Sequence, residues 1–215
     1  MIRHRYFLYA AAAFLTLSAP VEAGQITFNT DPFEGSDALT TPGRQVVGGD
    51  DFINFTPASD TFAFDEDVFG FGNSLLFFNG LAADIPATGV NLIVLRTFDN
   101  DADAATPFGA GNAANLIAAQ ITTPTPGFFI YFNSGLDLAR LVFSTDLNDN
   151  TSDLKILARM TNLAGQSGKD ALATFTSANF AVLPAEVPEP STFLLMMIAA
   201  GGLFAWARNV RQLQE

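Results

Sequence analysis

The sequence has no cysteine, and its one histidine, His4, lies at the extreme start. The first absence excludes disulfides, thiolate nucleophiles and zinc sites of the usual Cys/His kind. The second confines any imidazole base, and so any Ser-His-Asp triad, to a segment that reads as an address label rather than as part of a fold. Cations are scarce as well. Between Gly24 and Val187 six Lys or Arg stand against nineteen Asp or Glu, a balance of −13. Such a surface repels phosphate backbones and anionic headgroups, which argues against nucleic-acid binding and against docking of this segment on a membrane surface. The same segment has one tyrosine, Tyr131, and no tryptophan, although it holds eighteen of the twenty-two phenylalanines. Sugar-binding surfaces favour Tyr and Trp, which pair a flat apolar face with a polar handle; Phe has no handle and belongs in a core. A stretch of about 160 residues can build that core without staples.

Met1 to Ala23 has three parts: a basic start (Arg3, His4, Arg5), an apolar run from Tyr6 to Leu17, and a polar end closing on Val21-Glu22-Ala23. This is the pattern of a secretory signal peptide read by the Sec export machinery. The twelve-residue run falls short of the roughly 20 apolar residues a membrane span needs. Cleavage is expected after Ala23 rather than after Ala19, because Pro20 follows the latter.

At the other end, Pro190 to Ala207 carries no charge, and Phe193 to Ala207 is continuously apolar. At 1.5 Å per residue this predicts a helix of about 22 Å against a hydrocarbon core of about 30 Å, a short span and a weak permanent anchor. Arg208 and Arg211 follow at once, so the positive-inside rule keeps residues 208–215 in the cytoplasm and the acidic domain outside. Trp206 sits at that boundary, where an amphipathic indole belongs.

Immediately before the apolar run stands Val187-Pro188-Glu189-Pro190-Ser191-Thr192. Two prolines bracketing one residue hold the backbone extended and unable to enter the helix, which presents a strand-like peptide at the membrane face. The set of Val-Pro-Glu-Pro-Ser, an apolar stretch with Gly201-Gly202 and terminal arginines resembles the PEP-CTERM sorting signal. The resemblance covers about the last 28 residues and departs at the end, where Arg208 and Arg211 are separated by Asn209-Val210. It implies that exosortase, an integral membrane enzyme of Gram-negative bacteria that make extracellular polysaccharide, recognises Pro188, Glu189 and Pro190 as substrate residues and removes the helix. It implies an inner-membrane-tethered precursor that ends at the cell surface or is secreted, and it says nothing about the domain between. An ordinary single-span anchor is the alternative.

The chain therefore divides into a signal peptide (1–23), an acidic extracytoplasmic domain (24–183), a linker (184–187) and a sorting tail (188–215). In the domain, short runs rich in Phe, Val, Ile and Thr alternate with Gly, Pro, Asn and Asp clusters, which predicts an all-β fold, an antiparallel β-sandwich or jelly roll. Predicted strands are 25–29, 52–55, 61–64, 74–78, 91–98, 128–133, 140–145 and 154–160. Asn79-Gly80 reads as a tight hairpin turn. Residues 138–145 and 153–160 read as a hairpin joined by 146–152, and the alanines of 112–120 permit helix or strand. Asp99, Asp101 and Asp103, and Asp146, Asp149 and Asp153, alternate with Asn and small residues in a way that suits calcium. Ala104 and Ala110, where an EF-hand needs Gly and Glu, exclude that motif, and the run Asp65-Glu66-Asp67 is a weaker case. The bland reading is that these acids satisfy their own loop backbone. No catalytic residue and no cofactor is expected beyond calcium. The leading expectation is a non-enzymatic structural or adhesive protein of a surface or biofilm matrix. The alternatives are a calcium-stabilised module that binds extracellular polysaccharide, and a glycan-acting enzyme built on paired carboxylates.

Overall fold

A computed structural model of the chain describes residues 23–49 and 51–183. The signal segment up to Glu22, the linker and the sorting tail with its predicted helix lie outside the described residues. Among the described residues no helix is long and apolar enough to cross a membrane.

Strands dominate. Gly127–Asn133 (β7) reads Gly-Phe-Phe-Ile-Tyr-Phe-Asn and is buried at every position, the unbroken apolar run of a strand covered on both faces. Around it the larger sheet assembles from Val46–Val47 (β2), Phe52–Ile53 (β3), Phe77–Gly80 (β5), Leu92–Leu95 (β6), Leu138–Ser144 (β8) and Leu154–Ala164 (β9), in the order β2-β9-β8-β7-β6-β5 with β3 also on β9. Gln25–Phe28 (β1), Thr61–Phe64 (β4) and Phe180–Val182 (β10) form a second, three-stranded sheet with β4 in the middle.

Alternation along the strands divides the core in two. Leu92, Val94, Phe128, Ile130, Phe132, Leu141 and Phe143 face the small sheet, where Phe62, Phe64 and Phe180 meet them. Ile93, Leu95, Phe129, Tyr131 and Val142 face the helix Ala110–Ala118 (α2). The Phe64 and Phe128 rings stack at 3.9 Å and join the two sheets directly. Thirteen of the eighteen domain phenylalanines are buried and only Phe52 is well exposed, so phenylalanine here is core.

The antiparallel expectation needs correction. Strands β7, β8 and β9 are antiparallel, but β1, β4 and β10 are parallel to one another, as are β5, β6 and β7, and β2 and β3 run parallel to β9. A jelly-roll order is not observed. Parallel neighbours need a long crossover, and the alanine-rich segment between β6 and β7 supplies one. It is helical, with Ala110, Ala113, Ala114 and Ile117 buried at the i, i+3, i+4, i+7 spacing of one face. Asn79-Gly80 is not a hairpin turn either; it closes β5, paired with Val94-Leu95. The Asn79 amide instead donates to the carbonyls of Leu172 and Phe175, at 2.9 and 3.0 Å. The hairpin of β8 and β9 is present as expected, and so are strands at 25–28 and 61–64. The expectation missed the second hairpin, β7 to β8, whose turn is held by Leu136 N–H donating to Asn133 Oδ1 at 2.7 Å.

Between β2 and β3 the edge chain has one residue more than β9 opposite it, since 47 pairs with 155 and 52 with 159. The bulge brings Gly49 against the Ile156 carbonyl, 2.7 Å from where a Cβ would stand. Only glycine fits there.

Candidate functional site

The address segments attach at the two flanks of the small sheet. Strand β1 lies on one side of β4 and β10 on the other, both parallel to it. The chain therefore enters at one end of that sheet and leaves at the opposite end. Leu183 N–H donates to Phe64 O at 2.8 Å, the last described contact before the linker.

At the entry, Gly24 N–H donates to Asp60 Oδ1 at 3.0 Å, and Thr61 N–H donates back to Gly24 O at 2.8 Å. Asp60 also accepts from Thr56 N–H at 2.7 Å and from the Ser59 hydroxyl at 2.9 Å. Partial desolvation pushes the Asp60 carboxyl up, but the donors at Thr56, Gly24 and Ser59 together outweigh it and hold the group below its ordinary value. The residue after the expected cleavage point at Ala23 is thus seated on a carboxylate. A Cβ at Gly24 would stand 3.2 Å from Asp60 Oδ1.

The two acidic loops do not gather their carboxylates. Asp99 accepts from Asp101 N–H at 3.1 Å, Asp101 from Asp103 N–H at 3.0 Å, and Asp103 from Ala105 N–H at 3.0 Å. Each acid closes its own turn. The Asp99 carboxyl is held below its usual value chiefly by the Asp101 N–H. In the second loop Asp146 accepts from Thr125 and Asn148, and Asp149 from the backbone and hydroxyl of Thr151. The Asp149 carboxyl is lowered by those Thr151 bonds. Asp153, buried, accepts from Gln45 N–H and Leu39 N–H, each at 2.7 Å. Asp65 caps the short helix Glu66–Phe69 (α1) through Asp67 N–H. Among the described residues no three acids stand close enough to hold a metal ion. Addition of millimolar calcium after chelation is therefore expected to leave the thermal unfolding midpoint within about 1 °C. A site saturated a hundredfold would add about 2.7 kcal/mol and raise the midpoint by several degrees.

Two cavities lined by described residues open to solvent. One, of about 260 Å³, lies where the parallel strands β5, β6 and β7 begin, lined by Phe71, Leu76, Asn91 and Thr123 among others. Its most polar side chain is already committed: Asn91 donates to the carbonyls of Phe71 and Ser74 and accepts from Leu76 N–H. The other, of about 220 Å³, lies between the end of α2 and Asn148, Asp149 and Asn150.

Sequence reasoning did not find the polar row on the α2 side of the large sheet. Tyr131, Arg140 and Arg159 are directly opposite one another on β7, β8 and β9. The Tyr131 hydroxyl accepts from Asn133 Nδ2 at 3.2 Å and from Arg140 Nη1 at 3.4 Å. Burial pushes the phenol pKa up, against a smaller pull from Arg140, so it stays protonated. No signal in the sequence places three residues of three strands in one register.

No curated protein and no solved structure matches the chain. Residues 186–211 match the family described as the PEP-CTERM protein-sorting motif, and Pro188, Glu189, Pro190, the apolar run and both arginines fall within the match. The C-terminal tail of this chain is a PEP-CTERM protein-sorting motif, joined to a strand-rich domain.

Proposed function

We propose that this chain is exported through the Sec machinery and sorted by exosortase through its tail, and that its domain then serves as a non-enzymatic structural or adhesive element at the cell surface or in the extracellular matrix. The observation that carries the reading is the motif at 186–211, which begins directly after the domain's last strand, Phe180–Val182. Three residues, 183–185, separate that strand from the motif in sequence. A processing enzyme then meets the peptide and the short apolar run together.

Two observations support a non-enzymatic role. The domain has neither His nor Cys, and neither described cavity is lined by the pair of carboxylates a glycan hydrolase needs. A calcium-stabilised polysaccharide module would need acids whose oxygens are engaged in turns, and an aromatic platform for which Tyr131, fully buried, is not available.

The test is the intact mass and C-terminal peptide of the protein recovered from membrane and extracellular fractions, for the native chain and for a Pro188→Ala/Glu189→Ala/Pro190→Ala chain. The native chain is expected to lose its tail from near Pro188, and the triple variant to keep it in the membrane. Equal retention of residues 193–215 in both would make the protein an ordinary single-span anchor.

A further inference from the structure

Nineteen carboxylates against six cations should leave no arginine of this domain without a partner. Yet the two guanidinium groups that the fold sets side by side are short of acceptors. Arg140 on β8 and Arg159 on β9 are cross-strand neighbours on one face, an arrangement in which like charges repel. Among the described residues Arg140 has one side-chain hydrogen bond, to Tyr131, and its Nε is buried with no acceptor. Arg159 Nη1 is buried with no acceptor as well. Its guanidinium lies 5.2 Å from the centroid of Phe52, which is directly opposite on β3 and 60% exposed. Four neighbouring strands thus present, in order, a phenol, two guanidiniums and an open aromatic face. Buried donors left unmet cost stability and in native proteins mark an unseen water or ion.

We propose that Arg140 and Arg159 form a binding site for a carboxylate group of an external ligand, with Phe52 receiving the apolar part beside it. The site wants an oxyanion, because only an acceptor with charge offsets both the missing hydrogen bonds and the repulsion of the pair. A planar carboxylate matches the flat guanidinium forks. A domain with a balance of −13 penalises a phosphate-like dianion about twice as strongly as a monoanion, and a dense polyanion more strongly still. The ligand is therefore one whose carboxylates are isolated from one another. This goes beyond the sorting reading, and its outcome is independent of whether the tail is removed.

The experiment follows the arginine Nε–H resonances and the thermal midpoint of the full chain in detergent while sodium galacturonate or sodium acetate is added. Galactose with sodium chloride at the same ionic strength, and sodium sulfate, are the controls. The expected result is a saturable shift of the Arg140 and Arg159 signals by the carboxylates in the millimolar range, larger for galacturonate than for acetate. It should be weaker with sulfate, absent with galactose, and lost in both Arg140→Met and Arg159→Met, which keep the side-chain stems. Without ligand, each Met variant should melt at or above the native midpoint, because the repulsion is gone; a purely structural arginine would lower it. A native chain that shows no saturable carboxylate shift, or a shift that survives both substitutions, overturns the proposal. So does a chain that binds only as Asp50→Asn. Asp50 precedes Asp51, whose carbonyl accepts from Arg159 N–H at 2.8 Å, and that result would make Asp50 the internal counter-ion.

Discussion

Replacing Phe128 by alanine is expected to destabilise the domain by about 3–5 kcal/mol, read as a fall in the urea midpoint at unchanged m-value. Phe128 is fully buried at the centre of the aromatic layer between the sheets. Its ring lies 3.9 Å from Phe64, 5.2 Å from Phe69, and 5.4 Å from both Phe71 and Phe143. Truncation removes the transfer free energy of a phenyl group and leaves a void ringed by large, stiff side chains on two sheets that cannot close on it. Phe52→Ala, at the one well-exposed domain phenylalanine, should cost within about 0.5 kcal/mol. The Phe64→Ala/Phe128→Ala pair should be less destabilising than the two single changes added, because the second truncation enlarges a void already made. A loss below about 1.5 kcal/mol for Phe128→Ala would mean that the small sheet is not held by this layer, since truncating a well-packed buried phenylalanine costs about 3–5 kcal/mol.

Which parts of this molecule were legible in the sequence follows from how local each feature is. The sorting tail is a linear peptide: proline, acid, proline, apolar run and arginines are read in order along the chain, and the family match falls on the same residues. Strands at 25–28, 61–64 and 154–160 were visible because Ile26 and Phe28, Phe62 and Phe64, and Leu154 and Ile156 alternate with polar or small residues there. Strand direction was not visible. Leu92–Leu95 can pair either way, and what makes it parallel to β7 is a helix whose alanines were compatible with both states. The Asn79-Gly80 pair carries a turn signal that tertiary contacts override, through carbonyls at Leu172 and Phe175 more than ninety residues away. The acidic loops were legible in their bland form, acids closing their own turns. Tyr131, Arg140 and Arg159 were not, because a site built across strands depends on register, and register is set here by the two hairpins rather than by any pattern in the residues themselves.

Asp153 shows how the same residue type takes different work within one loop, and Asp153→Ala is expected to cost about 2–4 kcal/mol. The carboxylate is only 8% exposed and accepts from two backbone amides more than a hundred residues away in sequence, Leu39 and Gln45. Hydrogen bonds to a charged acceptor contribute about 1.5–3 kcal/mol each, and losing it strands two donors. Its two oxygens fasten the 39–45 segment to the start of β9 at the point where Leu154 N–H donates to Gln45 O and β2 begins. Arg44 in that segment then reaches the carbonyls of Ser152 and Gly111 and the side chain of Asn115, tying the same strip to α2. Asp153→Asn keeps one acceptor oxygen of the same shape and should lose about half as much as the alanine change. Asp149→Ala, at an exposed acid whose carboxylate accepts from the backbone and hydroxyl of its near neighbour Thr151, should stay within about 0.5 kcal/mol. Amide hydrogen exchange separates this latch from a general loss of stability. In Asp153→Ala, Leu39 and Gln45 should exchange faster by more than the global change, whereas the amides of β7 should follow the global change alone. Uniform acceleration across the sheet would instead place Asp153 within the cooperative core, and unchanged exchange at Leu39 and Gln45 would release its carboxylate for a role at the surface.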